Sequence, residues 1–249
     1  MPIVESKFFS VAAVASGVPL DIAATASAGD ELHTVPADQT DLAGIWVFNY
    51  GATSPKLVTI EYGGTDAKDR ESLWVHPNLP MVKAVSGDLL TRVSGTPVIR
   101  VFCETTTVCS ATGYIERYGG TADDAAQTWV KLSGSTDGKA IDISATTSVG
   151  ANTIHAATTT ANERDFVWLY GYNYDTDNAR GISVELGAAT ASATLTVTIP
   201  PRGGRVLLIP GLPYNNVTIK AYAAVADDGT AAAASKVAVR GRVYRRAAP

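Results

Sequence analysis

Short runs of alternating hydrophobic and polar residues dominate the chain. In residues 194–199, Leu, Val and Ile alternate with Thr, which places the apolar side chains on one face of a strand. Turn residues such as Gly63-Gly64 and Asp227-Asp228-Gly229 separate these runs. Similar runs rich in Val, Ile, Thr and aromatic residues occur at 43–50, 56–62, 98–103, 112–118, 165–174, 181–186, 205–209, 217–223 and 236–244. This pattern predicts an all-β protein built as a sandwich or barrel.

The chain carries the same residue order twice. Each of two histidines, His33 and His155, lies 13 residues before a tryptophan, Trp46 or Trp168. Further matching blocks follow in the same order, among them Asp21-Ile22 with Asp142-Ile143, Glu61-Tyr62-Gly63 with Glu185-Leu186-Gly187, and Gly113–Arg117 with Gly241–Arg245. Because several blocks match in sequence order, an internal duplication is predicted.

The duplication predicts two tandem β-sandwich (jelly-roll-like) domains. The first covers residues 1–119 and the second 127–249, each near the usual size of a domain. Residues 120–126, rich in Gly, Ala and Asp, are predicted to be a flexible linker. Residues 79–88 are predicted to be an insertion in the first copy, because the pattern of the second copy breaks there.

The aromatic residues divide into core and surface candidates. Trp46 and Trp168 are equivalent and lie in the most hydrophobic strand of each copy, so both are predicted to be core residues. Trp74, Tyr172 and Tyr174 remain candidates for a binding or subunit surface.

Four arginines cluster near the C-terminus, at Arg240, Arg242, Arg245 and Arg246. They fit a strand whose outward positions carry arginine, or a docking edge for an acidic partner surface. The net charge of −4 argues against broad nucleic-acid binding, which needs a basic face. No apolar run is long enough for a membrane span. We therefore expect protein partners, and neither nucleic acid nor membrane.

Catalytic motifs are missing from the sequence. It holds no nucleophile elbow, phosphate loop, zinc-protease helix motif or dinucleotide fingerprint, so no catalytic, cofactor-binding or metal-binding residue is predicted. His33 and His155 are interpreted as structural. Asp66, Asp69 and Glu71 could bind calcium. The intervening Lys68 and Arg70 instead favour a solvated loop.

Two further segments leave alternatives open. Cys103 and Cys109 could bridge a hairpin tip, but two cysteines are too few for a disulfide framework, so they are expected to stay unpaired. Residues 7–29 imitate a secretory signal. Since residues 21–29 belong to the repeat, this stretch is predicted to form the first strands of the first copy.

Several blocks together resemble the small β-sandwich virion proteins of tailed bacteriophages. The blocks are residues 167–173, Glu61-Tyr62-Gly63-Gly64-Thr65, Ile199-Pro200-Pro201, Leu208-Ile209-Pro210-Gly211-Leu212, Ala221-Tyr222-Ala223 and 241–244. The resemblance implies a head decoration or cement protein that binds the outside of a phage head and stabilises it. Its partners would be the major capsid protein or other virion proteins. It would act as a homo-oligomer, with a trimer favoured, in virions assembled in the bacterial host cytoplasm.

Two other functions compete with this one. A receptor- or carbohydrate-binding module of a tail fibre or baseplate would show an exposed Trp/Tyr cluster near acidic groups. A small-substrate hydrolase would show a deep cleft with convergent titratable residues. We expect no enzymatic activity.

Overall fold

The computed structural model describes residues 7–10, 18–51, 53–92, 95–119 and 129–247. Strands hold 55% of the described residues, and none of these residues lies in an α-helix, so the prediction of an all-β protein is confirmed. The predicted linker at 120–126 lies outside the described residues. We call the described residues up to 119 the first half and residues 129–247 the second half.

The first half contains nine strands: β1 (Lys7–Ser10), β2 (Leu20–Asp21), β3 (Asp30–Thr34), β4 (Gln39–Asn49), β5 (Lys56–Tyr62), β6 (Arg70–Val75), β7 (Val82–Thr91), β8 (Val98–Cys103) and β9 (Cys109–Gly119). The second half contains nine more: β10 (Trp129–Val130), β11 (Ile141–Asp142), β12 (Asn152–Ala156), β13 (Glu163–Asn173), β14 (Arg180–Leu186), β15 (Thr194–Ile199), β16 (Arg205–Tyr214), β17 (Thr218–Ala224) and β18 (Val237–Ala247). Short 3-10 turns lie at Ala67–Asp69, Ser148–Gly150 and Ala191–Ala193. The predicted strands at 56–62 and 98–103 are confirmed with the predicted bounds.

The described strands pair into four antiparallel sheets, two in each half. Sheet 1 has the order β1-β9-β4-β7, with β2 also on β9, and sheet 2 has the order β3-β8-β5-β6. Sheet 3 has the order β10-β18-β13-β16, with β11 also on β18, and sheet 4 has the order β12-β17-β14-β15. Sheet 3 therefore repeats sheet 1, and sheet 4 repeats sheet 2. Strands β6, β7, β15 and β16 all lie at sheet edges.

The apolar residues form one core in each half. In the first half, Ile45 and Val47 of sheet 1 pack in one cluster with Ile60 and Val101 of sheet 2. Val167 and Leu169 of sheet 3 do the same with residues of sheet 4 in the second half. Trp46 and Trp168 point to the opposite strand face and are half-buried, so the prediction that they are core residues is wrong. Alternation identifies two faces but does not show which one is buried against the other sheet.

The four small sheets are arranged in a ring that resembles a four-bladed β-propeller. The prediction of two tandem β-sandwich (jelly-roll-like) domains is therefore wrong. Sheets 1 and 3 also meet across the boundary between the halves, where Leu42 and Leu89 pack against Trp129. Period-two alternation specifies what lies on one face of a strand, whereas the arrangement of sheets depends on contacts between distant segments.

Residues 79–88 are not an insertion. Most of them belong to β7, which pairs with β4 as β16 pairs with β13. Ser86-Gly87-Asp88 has the composition of a turn, but it forms a bulge inside β7, because the pairing register shifts from Ala43–Asp88 to Gly44–Ser86 and leaves Gly87 unpaired. Gly87 has φ +79°, which glycine adopts without strain. A local turn signal therefore concealed this strand.

Candidate functional site

Four buried charged residues join the two halves, and we call them the inter-half cluster: Glu71, Asp88, Arg205 and Arg240. Arg205 donates to Glu71 from Nε (2.8 Å to Oε1) and Nη2 (2.6 Å to Oε2), and from Nη1 to Asp88 Oδ2 at 2.7 Å. Arg240 donates from Nη2 to Glu71 Oε2, and its Nε lies 3.4 Å from Asp88 Oδ2. Two arginines of the second half thus neutralise two carboxylates of the first.

Two tyrosines enclose the Arg240 guanidinium. Its centre lies 4.5 Å from the ring centroid of Tyr62 in the first half and 4.9 Å from that of Tyr172 in the second. The Tyr62 hydroxyl donates to the Asp88 carbonyl at 2.6 Å, and the Tyr172 hydroxyl donates to the Lys68 carbonyl. Cation–π contacts of this kind strengthen when the cation is removed from water, as Arg240 is, with a relative exposure of 1%.

Within the inter-half cluster, the electrostatics favour the charged forms of Asp88 and Arg205. Burial raises the pKa of Asp88, but the positive charges of Arg205 and Arg240 outweigh burial and hold that pKa below its ordinary value. Burial lowers the pKa of Arg205, and the facing Asp88 and Glu71 reverse the effect and raise it well above its ordinary value. Asp88 and Arg205 therefore hold the two halves together as an ion pair, and neither is poised to exchange a proton near pH 7.

Each half also contains a His–Asp–Arg trio in which the histidine and the aspartate are buried. In the first half, Asp41 accepts hydrogen bonds from Arg117 at 2.8 and 2.9 Å and lies 2.7 Å from His33 Nε2. Burial raises the pKa of Asp41, but the bonds to His33 and Arg117 outweigh it and lower the pKa. His33 therefore has a structural role, and its partner is a carboxylate on the neighbouring sheet.

The second half repeats this trio. Asp165 accepts from Arg245 at 2.7 and 2.9 Å and lies 3.0 Å from His155 Nε2. The Ser133 backbone N–H donates to His155 Nδ1 at 3.2 Å, so in neutral His155 the proton lies on Nε2 and is donated to Asp165. Burial raises the pKa of Asp165, but the hydrogen bonds from Arg245 and His155 reverse this and lower it.

Three of the four C-terminal arginines bind groups within the chain. Arg240 lies in the inter-half cluster, and Arg245 belongs to the second trio. Arg242 donates to the Ser86 carbonyl at 2.7 Å and to the Gly87 carbonyl, and its guanidinium lies 5.0 Å from the Trp168 ring centroid. Since β18 lies inside sheet 3, it is not an edge strand. Among these four arginines, Arg246 is the one in the exposed class.

The predicted aromatic candidates separate in the same way. Tyr172 is buried in the inter-half cluster, and half-buried Tyr174 donates its hydroxyl to Asp142 Oδ1 at 2.6 Å. Trp74 is 43% exposed on β6 and lines a cleft of about 320 Å³ with Lys83 and Arg202. Of the three predicted aromatics, Trp74 is the one that presents its ring to solvent.

The acidic segment 66–71 is not simply a solvated loop. Asp69 and Glu71 are both buried, and burial raises the pKa of Asp69. Among the residues that the structure describes, no group of three or more His, Cys, Asp or Glu side chains is placed to hold a metal ion. In the same described part, no helix has the length and hydropathy of a membrane span.

Cys103 and Cys109 are free, buried thiols at facing ends of β8 and β9. The hydrogen bond between them lowers the pKa of Cys103 to about 7 and raises that of Cys109.

Sequence reasoning missed Arg205 and Asp88, which complete the inter-half cluster, and Tyr62, whose ring packs against Arg240. Arg205 follows Gly203-Gly204 and begins an otherwise apolar strand. A charged residue beside such a run is a weak signal, because the same pattern is typical of a solvated strand end.

Large apolar side chains are exposed chiefly on two connected pairs of edge strands. Of the ten that are exposed among the described residues, six lie on β6, the β6–β7 connection, β15 or β16: Trp74, Leu79, Met81, Leu195, Leu207 and Leu212. We call the segments 70–91 and 194–214 the edge segments; each runs from an edge strand of one sheet to an edge strand of another. Exposed apolar side chains beside unpaired strand edges are typical of protein contact surfaces.

No protein-family model matches the chain, and no curated protein matches its sequence. Among solved structures, it is similar to PNGF-II (8% identity, TM-score 0.37, 97% of this chain) and spans 65% of the length of that chain. It is also similar to the major capsid protein P2 of bacteriophage PM2 (10% identity, TM-score 0.30, 98% of each chain). A third is the tandem CBM22 domains of Paenibacillus barcinonensis Xyn10C (11% identity, TM-score 0.26, 97% of this chain and 89% of that one). These likenesses are too weak to assign an activity.

Proposed function

We propose that this chain is a non-enzymatic structural protein of a bacteriophage particle, which binds the outside of the head as a decoration or cement protein. The observation that carries the proposal is the exposure of Leu195, Leu207 and Leu212 on the second edge segment, matched by Trp74 and Met81 on the first. A shell protein needs apolar surfaces and free strand edges for lateral contacts, which a monomer in solution would cover.

The buried charges support a structural role. Glu71, Asp88, Asp41 and Asp165 each bind arginine, and these contacts tie strands and halves together. A protein that reinforces a shell benefits from such internal ion pairs, because they keep its two halves together under mechanical force. The choice of a phage particle rests on the resemblance of the sequence blocks to tailed-phage virion proteins. On that basis we propose the major capsid protein as the partner and a trimer as the favoured assembly.

The proposal is tested by adding purified chain to phage heads that lack it and measuring co-sedimentation. We expect stoichiometric binding that Leu207→Asp and Leu212→Asp each weaken by at least about tenfold, because each places a charge in an apolar contact. Val18→Asp is the matched control, since Val18 is 62% exposed and lies outside both edge segments. Absence of binding by the wild-type chain, or equal loss in the control, would contradict the proposal.

A second candidate, a receptor- or carbohydrate-binding module of a tail fibre or baseplate, is favoured by one observation. Trp74 presents its ring beside a cleft that the charged residues Lys83 and Arg202 also line. An exposed aromatic ring with an apolar face and polar neighbours is a typical contact for a bound ligand. Titration of the chain with host surface glycans, followed by Trp fluorescence in wild type and Trp74→Ala, distinguishes the two candidates.

A further inference from the structure

A groove on sheet 4 leads to a buried carboxylate. The groove has a volume of about 580 Å³ and is lined by Ser148, Val149, Glu185, Gly187, Asn216 and Lys220. Glu185 is only 4% exposed, although its side chain lines the groove. Its Oε1 accepts a hydrogen bond from the Ser148 hydroxyl. Within the described residues no cation forms an ion pair with it, even though Lys220 lies directly opposite on β17.

The first half contains an equivalent buried carboxylate, and there it is paired with an arginine. Glu61 occupies the position on β5 that Glu185 occupies on β14, and Arg100 takes the place of Lys220. The Gly29 backbone N–H donates to Glu61 Oε2 at 3.0 Å, and the Nε of Arg70 lies 3.3 Å from Glu61 Oε1. The chain therefore neutralises this buried carboxylate with an arginine from the neighbouring edge strand.

The two halves differ at the position that pairs with this carboxylate, and the difference leaves the groove of the second half open. Arg70 is paired with Glu61 across β5 and β6, and the residue paired with Glu185 across β14 and β15 is Thr194. Threonine carries no charge and is too short to cover the carboxylate. A buried carboxylate with one hydroxyl donor is costly, and a guanidinium supplies both charge and paired donors. The volume lies within the usual range for ligand clefts, about 300–1,000 Å³.

We propose that this groove binds an arginine side chain of a partner protein, which takes the place that Arg70 holds in the first half. The guanidinium donates to the free oxygen of Glu185, and its aliphatic stem lies along Val149 and Gly187. Asn216 and Lys220 border the groove and contact the partner's backbone carbonyls. This inference is independent of the proposed role in a phage particle, because it concerns the chemistry of the partner alone.

The test is an NMR titration of the full chain with the peptide acetyl-Gly-Arg-Gly-amide, and with its neutral counterpart in which citrulline replaces arginine. We expect saturable amide shifts at Ser148, Gly187 and Lys220 with the arginine peptide, at an affinity of about 1 mM. The citrulline peptide should bind at least about tenfold more weakly, because it lacks the charge.

Two variants make the test specific. Thr194→Arg restores the internal ion pair, so it should abolish peptide binding and raise the melting temperature, whereas the uncharged control Thr194→Gln should do neither. Glu185→Gln should weaken binding by at least about tenfold. If Glu185→Gln does not fold, Thr194→Arg and its control decide alone. Equal shifts with both peptides, or undiminished binding to Thr194→Arg, would overturn the proposal.

Discussion

Arg240 on β18 and Glu71 on β6 form a buried ion pair although they lie 169 residues apart in the chain. Each carboxylate and guanidinium of the inter-half cluster comes from a different strand, so the cluster assembles only when the two halves dock in one orientation. Replacing a buried ion pair by apolar residues can be neutral, but leaving one partner behind is costly. The cluster therefore selects one arrangement of the sheets.

Arg240→Met should lower the free energy of unfolding by about 3–5 kcal/mol, because Glu71 and Asp88 stay buried with less positive charge. Urea denaturation monitored by Trp fluorescence measures the change. Arg246→Met is the matched control on the same strand, and its exposed side chain predicts an effect within about 0.5 kcal/mol. Equal stability of the two variants would contradict the role assigned to Arg240.

The trios predict an acid-dependent stability. The pKa values of Asp41 and Asp165 are lowered in the folded state, so their contribution is complete above the unfolded pKa of about 3.9 and is lost as the pH falls toward the folded value. The free energy of unfolding, measured by urea denaturation between pH 7 and pH 2, should therefore fall below about pH 4.

Asp165→Asn should make that fall shallower, because one titrating group is removed. Asp177→Asn, at an exposed position, is the control and should leave the slope unchanged. A wild-type stability that is flat from pH 5 to pH 2, or an unchanged slope in Asp165→Asn, would show that the trios do not act in this way.

Gly241→Ala should destabilise the fold by about 1–3 kcal/mol through overpacking. A Cβ atom at this position would lie 2.0 Å from the Trp168 carbonyl oxygen of the neighbouring strand. Gly150→Ala is the matched control, since a Cβ there meets nothing within 4 Å. The melting temperatures of both variants, compared with wild type, check this prediction, and an unaffected Gly241→Ala would refute it.

The two thiols should be protected in the folded protein. Cys103 and Cys109 have no exposed surface, so a thiol reagent should react with neither in native buffer at pH 8, despite the lowered pKa of Cys103. After unfolding in guanidinium chloride, the reagent should report two thiols per chain. Immediate reaction of the native protein would mean that β8 and β9 are open at this end.

The features that could be predicted from the sequence are those that depend on the local pattern of residues. Strands 56–62 and 98–103 were predicted with their observed bounds, because their β-branched and aromatic residues are consecutive. The matching glycines Gly113 and Gly241 also have a shared physical cause, since a Cβ at either would approach a carbonyl oxygen of the adjacent strand within 2.2 Å. A backbone contact this close excludes a Cβ atom, so glycine is the residue that fits these two positions.

What the sequence did not predict depends on distant partners. Arg240 and Arg242 resemble outward-facing strand residues until Glu71 and the Ser86 carbonyl are brought to them by the ring of sheets. The bulge at Gly87 imitates a turn, which concealed β7 and suggested an insertion. Periodicity describes one strand at a time, so it cannot report which face meets another sheet.

The position and copy number of the chain in purified phage particles test the central claim most directly. Cryo-electron microscopy of the phage proposed to encode this chain should show many copies in a regular lattice on the outside of the head, with the edge segments at the contacts. A handful of copies at the tail tip, or none in the particle, would contradict the proposed role as a head decoration protein.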